Sequence, residues 1–364
     1  MITVYVPDIG DGLAAGIRTI GGTSIQVDCG SQDEPEAALH KGLYRILPDA
    51  FFLSHFHLDH YNGLLCHNHR SYQTYFAVRE AFYPRLPEFS QRETFLFDML
   101  AMAHWMMGDS SGSMAADFLN VLSRINYGGF KYRSLCMGDT VTVGGSRFEV
   151  LWPPRAVEDD ITLKVISKAI KDFNAAADAN EALRRILKTI GEQGEMQSYL
   201  SDERRSGEIP GCGERIPGSV EQRRQLPEPI RKANESLRAA ANHLSLAFHE
   251  DNKFLFMGDL ESHEIKQVVG NLVSQQRDHF FIVLTPHHGT HWQDDLRQIH
   301  TWYCVSSVGA DLFRHVRSEY KSIADVCLIT HLNGDVEIPL FLPSWYGRGY
   351  WRHWYPFQGP NNRM

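Results

Sequence analysis

No uninterrupted apolar run in this chain approaches the ~20 residues a membrane span requires, so a membrane protein is not expected. The opening residues, Met1-Ile2-Thr3-Val4-Tyr5-Val6, read as a strand and lack the basic segment and apolar centre of a signal peptide. There is no CxxC pair, and the six cysteines (Cys29, Cys66, Cys136, Cys212, Cys304 and Cys327) are widely scattered. A chain of 364 residues does not need disulfides to hold a core, so reduced, mostly buried thiols are expected. Basic charge is not in excess either: 36 Lys and Arg against 44 Asp and Glu give a net charge of −8. That excludes a generic nucleic-acid coat protein, whose binding rests on neutralising phosphates, but not an enzyme that acts on nucleic acid. No internal repeat of about 20–50 residues is present. A soluble, cytoplasmic protein is the expectation.

What is present is globular. Apolar residues make up 43% of the chain and charged ones 22%, enough for a sizeable core and against global disorder. The length fits one large domain with insertions, or two modest ones. Short β-rich runs at Val4–Val6, Ala14–Thr19 and Ser24–Val27, split by Gly10-Asp11-Gly12 and Gly21-Gly22, predict a β-meander. Asp49–Leu53 is a further apolar strand, and Thr74–Val78 another candidate. Leu96, Met99, Leu100, Met102, Ala103 and Met106 recur at helical spacing, as do Phe118, Val121 and Leu122, so residues 85–135 read as a helical excursion. The strand pair Thr140–Val143 and Arg147–Leu151 follows. Residues 155–241 are rich in Ala, Arg, Glu and Lys, with helical periodicity at Ile161–Ile170, Ala176–Ile190 and Leu237–Ala241. Opposite charges nearly balance there, predicting a solvated helical insertion, interrupted over Gly207–Pro229 by a loop or disordered stretch.

Strand character resumes at Leu244–Phe248, Lys253–Met257, Phe280–Leu284 and Trp302–Ser306, with helices near His263–Asn271 and Trp292–His300. Val326–Ile329 and Val336–Ile338 read as a last hairpin. The fold class is α/β. The chain divides into a core over 1–154, the insertion 155–241, the second half of the core over 242–345 and an aromatic tail over 346–364.

His55-Phe56-His57-Leu58-Asp59-His60 places three imidazoles and a carboxylate within six residues, directly after an apolar strand. Zinc accepts both donor types. In extended backbone His55 and His57 share a face and can reach one metal, leaving Asp59 and His60 to reach a second. Two metals ~3.5–4 Å apart can share one water and ionise it near neutral pH. The loop cannot complete two coordination spheres alone. Asp259, in Met257-Gly258-Asp259, suits a bridging ligand or an ordinary turn; His287 begins a His-His-Gly turn at a strand end; His243 stands at the lip of a strand, as a ligand or as a surface histidine.

These residues resemble the metallo-β-lactamase superfamily, whose signature loop matches residues 55–60. The branch most similar is the soluble hydrolase domain of bacterial competence DNA-uptake proteins. The likeness also rests on Val27-Asp28-Cys29-Gly30, Gly258-Asp259, Pro286-His287-His288-Gly289-Thr290, Ser307-Val308-Gly309 and the closing segment around Asn333-Gly334-Asp335-Val336. It covers roughly residues 1–84, 136–154 and 242–342. The chain departs from the branch at Asn242-His243-Leu244-Ser245, where the branch has Asn-Asn-X-Ser. His315-Val316 stands where His-Pro is frequent, and the two inserts have no counterpart.

The resemblance implies a four-layer αββα sandwich with helical insertions and a dinuclear zinc hydrolase whose nucleophile is a metal-bridging hydroxide. Manganese or iron is compatible with the same ligand types. His55, His57 and His243 would hold one metal, Asp59, His60 and His287 the other, and Asp259 would bridge. Asp28 would fix the tautomer of a ligand histidine. Asp59 and Asp259 thus belong to the catalytic set. His288, His291 and His315 are candidates to protonate a leaving group or hold a phosphate. The branch points to phosphodiesters, in nucleic acid or small nucleotides. Esters, lactones or amides are the alternative chemistry, and a non-catalytic, metal-binding regulatory subunit the alternative class. The inserts could cap a small substrate or form a homodimer. Trp345, Tyr346, Tyr350, Trp351, Trp354 and Tyr355 could stack bases or pack on the domain.

Overall fold

The computed structural model describes residues 2–66, 78–86, 95–106, 131–192 and 226–340. It is a mixed α/β structure with two mixed sheets of seven strands each. The first sheet has the order β14-β1-β2-β3-β4-β5-β6. Its strands are β1 (Ile2–Val6), β2 (Gly12–Arg18), β3 (Ser24–Ser31), β4 (Ala50–Phe52), β5 (Glu80–Pro84), β6 (Lys131–Leu135) and β14 (Val336–Leu340). The second has the order β13-β12-β11-β10-β9-β8-β7. It comprises β7 (Thr140–Val143), β8 (Ser146–Trp152), β9 (Ala247–Glu250), β10 (Phe254–Phe256), β11 (His279–Leu284), β12 (His300–Ser306) and β13 (Ala324–Ile329).

The central strands bury both faces, since successive side chains of a strand point to opposite sides. In β4, Phe52 joins a cluster shared with the second sheet, while Phe51 faces away into a cluster made with helices. In β10, Phe254 and Phe256 enter the shared cluster and Leu255 faces the other way. The ring of Phe52 lies 5.0 Å from Phe248 and 5.7 Å from Phe148, so the two sheets meet through aromatic contacts. Burying one such phenyl group contributes about 1.5–3 kcal/mol.

Four helices pack on the outer face of the first sheet: α1 (Phe95–Met106), α2 (Asp160–Ala179), α3 (Glu181–Glu192) and α4 (Glu228–His243). They come from the two segments expected to be inserts. Helix α2 begins at Asp159, whose carboxylate accepts from Thr162 N at 2.7 Å, and buries Thr162, Ile166, Ala169, Phe173 and Ala176 along one stripe. Asp172 of α2, itself buried, bonds Lys232 (3.0 Å) and Ser236 (2.6 Å) of α4, so the two helices hold a fixed register. On the outer face of the second sheet lies α5 (Ser262–Ser274), burying Ile265, Val268, Val269 and Leu272.

Several elements differ from the sequence expectation. Val326–Ile329 and Val336–Ile338 do not form a hairpin: β13 pairs in parallel with β12, and β14 crosses to pair antiparallel with β1. Each is the edge strand of a different sheet. The region of Trp292–His300 is a 3₁₀ turn, Asp294–Gln298, followed directly by β12. Residues 35–46 are helical, with a π-helical centre at Ala38–Leu43, although the sequence pattern suggested no element there. Strand β6 lies inside the expected helical excursion. The first part of Thr74–Val78, the residues around Phe118, most of Gly207–Pro229 and the C-terminal aromatic residues lie outside the described residues.

Strand direction places the chemistry. β10, β11 and β12 run parallel, so the residues following each emerge at one edge of the second sheet. β3 and β4 are parallel as well, so the ends carrying Asp28 and His55 emerge together from the first sheet. Leu246 N donates to Ser54 O at 2.7 Å, joining the two edges.

Candidate metal centre

The loop after β4 supplies His55, His57, Asp59 and His60, all buried. Its path depends on a close approach to Gly30: a Cβ there would lie 2.4 Å from Asp59 O, against backbone that cannot yield. Asp28 is fully buried beneath the loop and adopts φ +54°, a conformation Asp tolerates better than most residues. Its carboxylate accepts from Ser54 N (2.7 Å), Ser54 Oγ (2.6 Å) and His60 Nδ1 (2.8 Å). With Nδ1 donating, His60 Nε2 carries the free lone pair and points into the site.

The other histidines are fixed in the same manner. His55 Nδ1 bonds Ser54 Oγ at 2.9 Å, freeing Nε2. His57 Nε2 donates to the carbonyl of Arg238 in α4 at 2.9 Å, which leaves Nδ1 as its lone-pair nitrogen. His288 Nδ1 donates to Ser307 O at 2.9 Å and presents Nε2. His287 and His288 both sit in the left-handed region, φ +48° and +59°, a strain of the kind that concentrates at functional sites. His287 N donates to Gly258 O at 2.9 Å, which clamps this turn to the one carrying Asp259.

These side chains converge on one atom. Asp259 Oδ2 lies 3.5 Å from His60 Nε2, 3.5 Å from His288 Nε2, 3.8 Å from His55 Nε2 and 3.9 Å from His287 Nε2. These separations are beyond hydrogen-bond length. They fit donors that each stand ~2.0–2.2 Å from a shared metal, since such pairs at tetrahedral angles are about 3.4 Å apart. Three buried atoms in the loop have no hydrogen-bond partner among the described residues: His55 Nε2, His60 Nε2 and Asp59 Oδ1. Buried polar groups are rarely left unpaired unless an ion or water belongs there. His55, His60 and Asp259 therefore form a group that could hold a metal ion, and the residues present fit that use.

Charge points the same way. Asp28, Asp59 and Asp259 are 0%, 6% and 4% exposed, and burying anions without compensation is expensive. Burial works to raise Asp259, but His288, His60 and His287 outweigh it and hold the carboxyl well below its ordinary range. Burial would also raise Asp59; Arg238, His60 and His57 reverse that. Burial drives His57 down to about 3, helped by Arg238, and His55 falls for the same first reason, with His60 and His57 adding to it. Burial works to lower His60 and His288 as well, but Asp259 with Asp28 raises His60 and Asp259 raises His288, so the buried carboxylates draw positive charge to this point, and a cation bound there would displace those protons.

The expected residues divide cleanly by position. His55, His57, Asp59, His60, Asp259 and His287 surround the centre, and His288, expected to serve proton transfer, stands among the ligand-type groups and closer to Asp259 than His287 does. His243 does not join them. As the last residue of α4 it turns the other way, its Nδ1 bonding the buried Glu264 at 2.7 Å. Its neighbour Asn242 donates to Glu261 Oε1 at 3.1 Å, and its Oδ1 has no partner among the described residues. His315 is exposed in a short turn, Phe313–His315. His291 stacks on His287, ring centroids 4.0 Å apart, and reaches Glu261 at 3.1 Å, so Glu261, His287 and His291 make a second, more open group of metal-type donors.

Three participants were not among the residues expected from the sequence. Gln32 Nε2 donates to Asp59 Oδ2 at 3.1 Å, Arg238 lies 3.7 Å from the same oxygen, and Glu261 brackets His287 and His291. Of these only Glu261 could have been suspected, two positions after Asp259; Arg238 is one arginine among many in a charged helix. The five described cysteines (Cys29, Cys66, Cys136, Cys304 and Cys327) are free thiols. No described helix is long and apolar enough to cross a membrane. No protein-family model matches the chain, and no curated protein matches it.

Proposed function

We propose that the chain is a metal-dependent hydrolase of the metallo-β-lactamase superfamily, with a dinuclear zinc centre and phosphodiesters of nucleic acid or small nucleotides as substrates. The observation that carries this reading is the convergence of four imidazole nitrogens on Asp259 Oδ2 beside unpartnered His55 Nε2, His60 Nε2 and Asp59 Oδ1. A four-layer αββα arrangement is supported by the three apolar clusters, one between the sheets and one outside each.

His55 and His57 would hold one metal and Asp59, His60 and His288 or His287 the other, with Asp259 between them. Zinc bound there would supply Lewis acidity and a water nucleophile ionised near neutral pH. The chain's own residues do the rest. Asp28 holds the Nδ1 proton of His60, Ser307 O holds that of His288, and Arg238 O holds the Nε2 proton of His57. Each bond fixes a ring so that its other nitrogen faces the centre. His291, 34% exposed and paired with Glu261, is placed to give a proton to a departing alkoxide.

The test is metal analysis of the purified protein alongside hydrolysis of bis(p-nitrophenyl) phosphate and a panel of carboxylic esters. About two zinc ions per chain, diesterase activity abolished by chelation, and loss of both in Asp259→Asn are expected. Absence of tight metal binding would end the proposal; turnover of esters alone would move it to the other bond type.

A further inference from the structure

A cleft of about 90 Å³ opens beside the metal centre, bounded on one side by His57 and Asp59. Two other walls come from the helical inserts. Helix α1 lines it with Met99, Met102, Ala103 and Met106, and α4 with Asn234, Leu237, Arg238 and Ala241. Both sets have the spacing i, i+3, i+4, i+7, so each helix turns a single face to the cleft. The face of α1 is wholly apolar. The face of α4 ends in a guanidinium that makes no hydrogen bond to another described residue and stands 3.7 Å from Asp59 Oδ2, the oxygen that Gln32 also holds.

We infer that the two inserts are the substrate-selecting wall of the proposed centre, and that they select a small anionic ester bearing one compact apolar group. Arg238 takes the anionic oxygens, and the apolar group lies against Met99, Met102 and Met106. This rests on the metal-centre reading and narrows its substrate. Arginine offers paired donors in a planar fork that matches phosphate or carboxylate. Unbranched methionines adapt to an alkyl or ring edge of varied shape. The size sets an upper bound: a cavity of ~150 Å³ holds the six carbons of a benzene, so this smaller cleft takes a group of about three or four carbons. A polynucleotide would need a basic track along its backbone, whereas Arg238 is the single Lys or Arg in the described lining. The inserts thus act on the substrate side.

The experiment measures binding of methylphosphonate, butylphosphonate and a single-stranded oligonucleotide to the zinc-loaded protein by calorimetry. Butylphosphonate should bind about tenfold more tightly than methylphosphonate, from partial burial of its extra methylenes. Arg238→Met should weaken both phosphonates by about 10- to 100-fold, the share of a charge-assisted bond pair. Met106→Gln, at the half-buried rim, and Asn234→Trp, which fills the cleft, should each remove the butyl advantage, with zinc content and thermal midpoint measured to show that the variants fold. Equal affinity for the two phosphonates overturns the inference, as does Arg238→Met binding like the parent, or the oligonucleotide binding more tightly than butylphosphonate. If the protein takes up no zinc, the metal-centre reading fails separately, and the phosphonate comparison on the metal-free protein still decides the pocket.

Discussion

Replacing Asp28 with Asn removes one negative charge from beneath the histidine loop and little else. The backbone at this position has φ +54°, which Asn accepts as readily as Asp, and the two side chains are nearly the same size. What changes is the hydrogen bonding. The carboxylate accepts three bonds of 2.6 to 2.8 Å, from Ser54 N, Ser54 Oγ and His60 Nδ1. The amide can accept only with its oxygen, and its NH₂ must face one of these donors. Turned toward His60, it forces Nδ1 to become an acceptor, so the ring proton moves to Nε2, 3.5 Å from Asp259 Oδ2, where the lone pair is needed. Loss of a carboxylate behind a metal-ligating histidine typically costs 10–100-fold in metal affinity, about 1.4–2.7 kcal/mol. The metal-free protein should also lose about 1–3 kcal/mol, since a fully buried donor is left poorly paired. Competition with a chromophoric zinc chelator measures the first quantity and urea unfolding of the metal-free form the second. Zinc affinity equal to the parent's, in a variant that folds, would refute the assignment of His60 as a ligand oriented by Asp28.

Gly30→Ala should abolish stoichiometric metal binding without touching any ligand, because its Cβ would sit 2.4 Å from Asp59 O and push the loop away; a metal count unchanged from the parent would sink that reasoning. Phe52→Ala should cost about 3–5 kcal/mol in urea unfolding, since its ring meets Phe82, Phe148 and Phe248 between the sheets. A hydrogen bond with Cys304 across the β12–β13 pair lowers the Cys327 thiol, so alkylation at this half-buried residue should rise with a midpoint below that of an ordinary thiol. Below that midpoint the reactive thiolate is protonated. Cys304→Ala should shift the midpoint upward, read by mass spectrometry of the labelled peptide.

Much of the candidate site is legible in the sequence because it lies in short contiguous turns. His55 to His60, Gly258-Asp259 and Pro286 to Gly289 each follow an apolar run, and a strand ending in a turn is a local pattern with its own chemistry. The same locality made β1 to β3 readable as a meander and gave the periodic helices of 160–192. Where two neighbouring segments looked alike, local pattern failed: Val326–Ile329 and Val336–Ile338 suggested a hairpin, yet they belong to different sheets, since strand partners are chosen by the free edges available elsewhere.

The residues themselves therefore determined which turns carry metal-type donors, because donor chemistry and local spacing are properties of a few adjacent positions. Only the tertiary structure decided which of those donors meet. Parallel pairing of β10, β11 and β12 brings Asp259 and His288 to one edge, whereas the end of α4 turns His243 to Glu264 while the same helix sends Arg238 to Asp59. A side chain's direction at a helix end depends on how the helix packs, and that is fixed by contacts dozens of residues away.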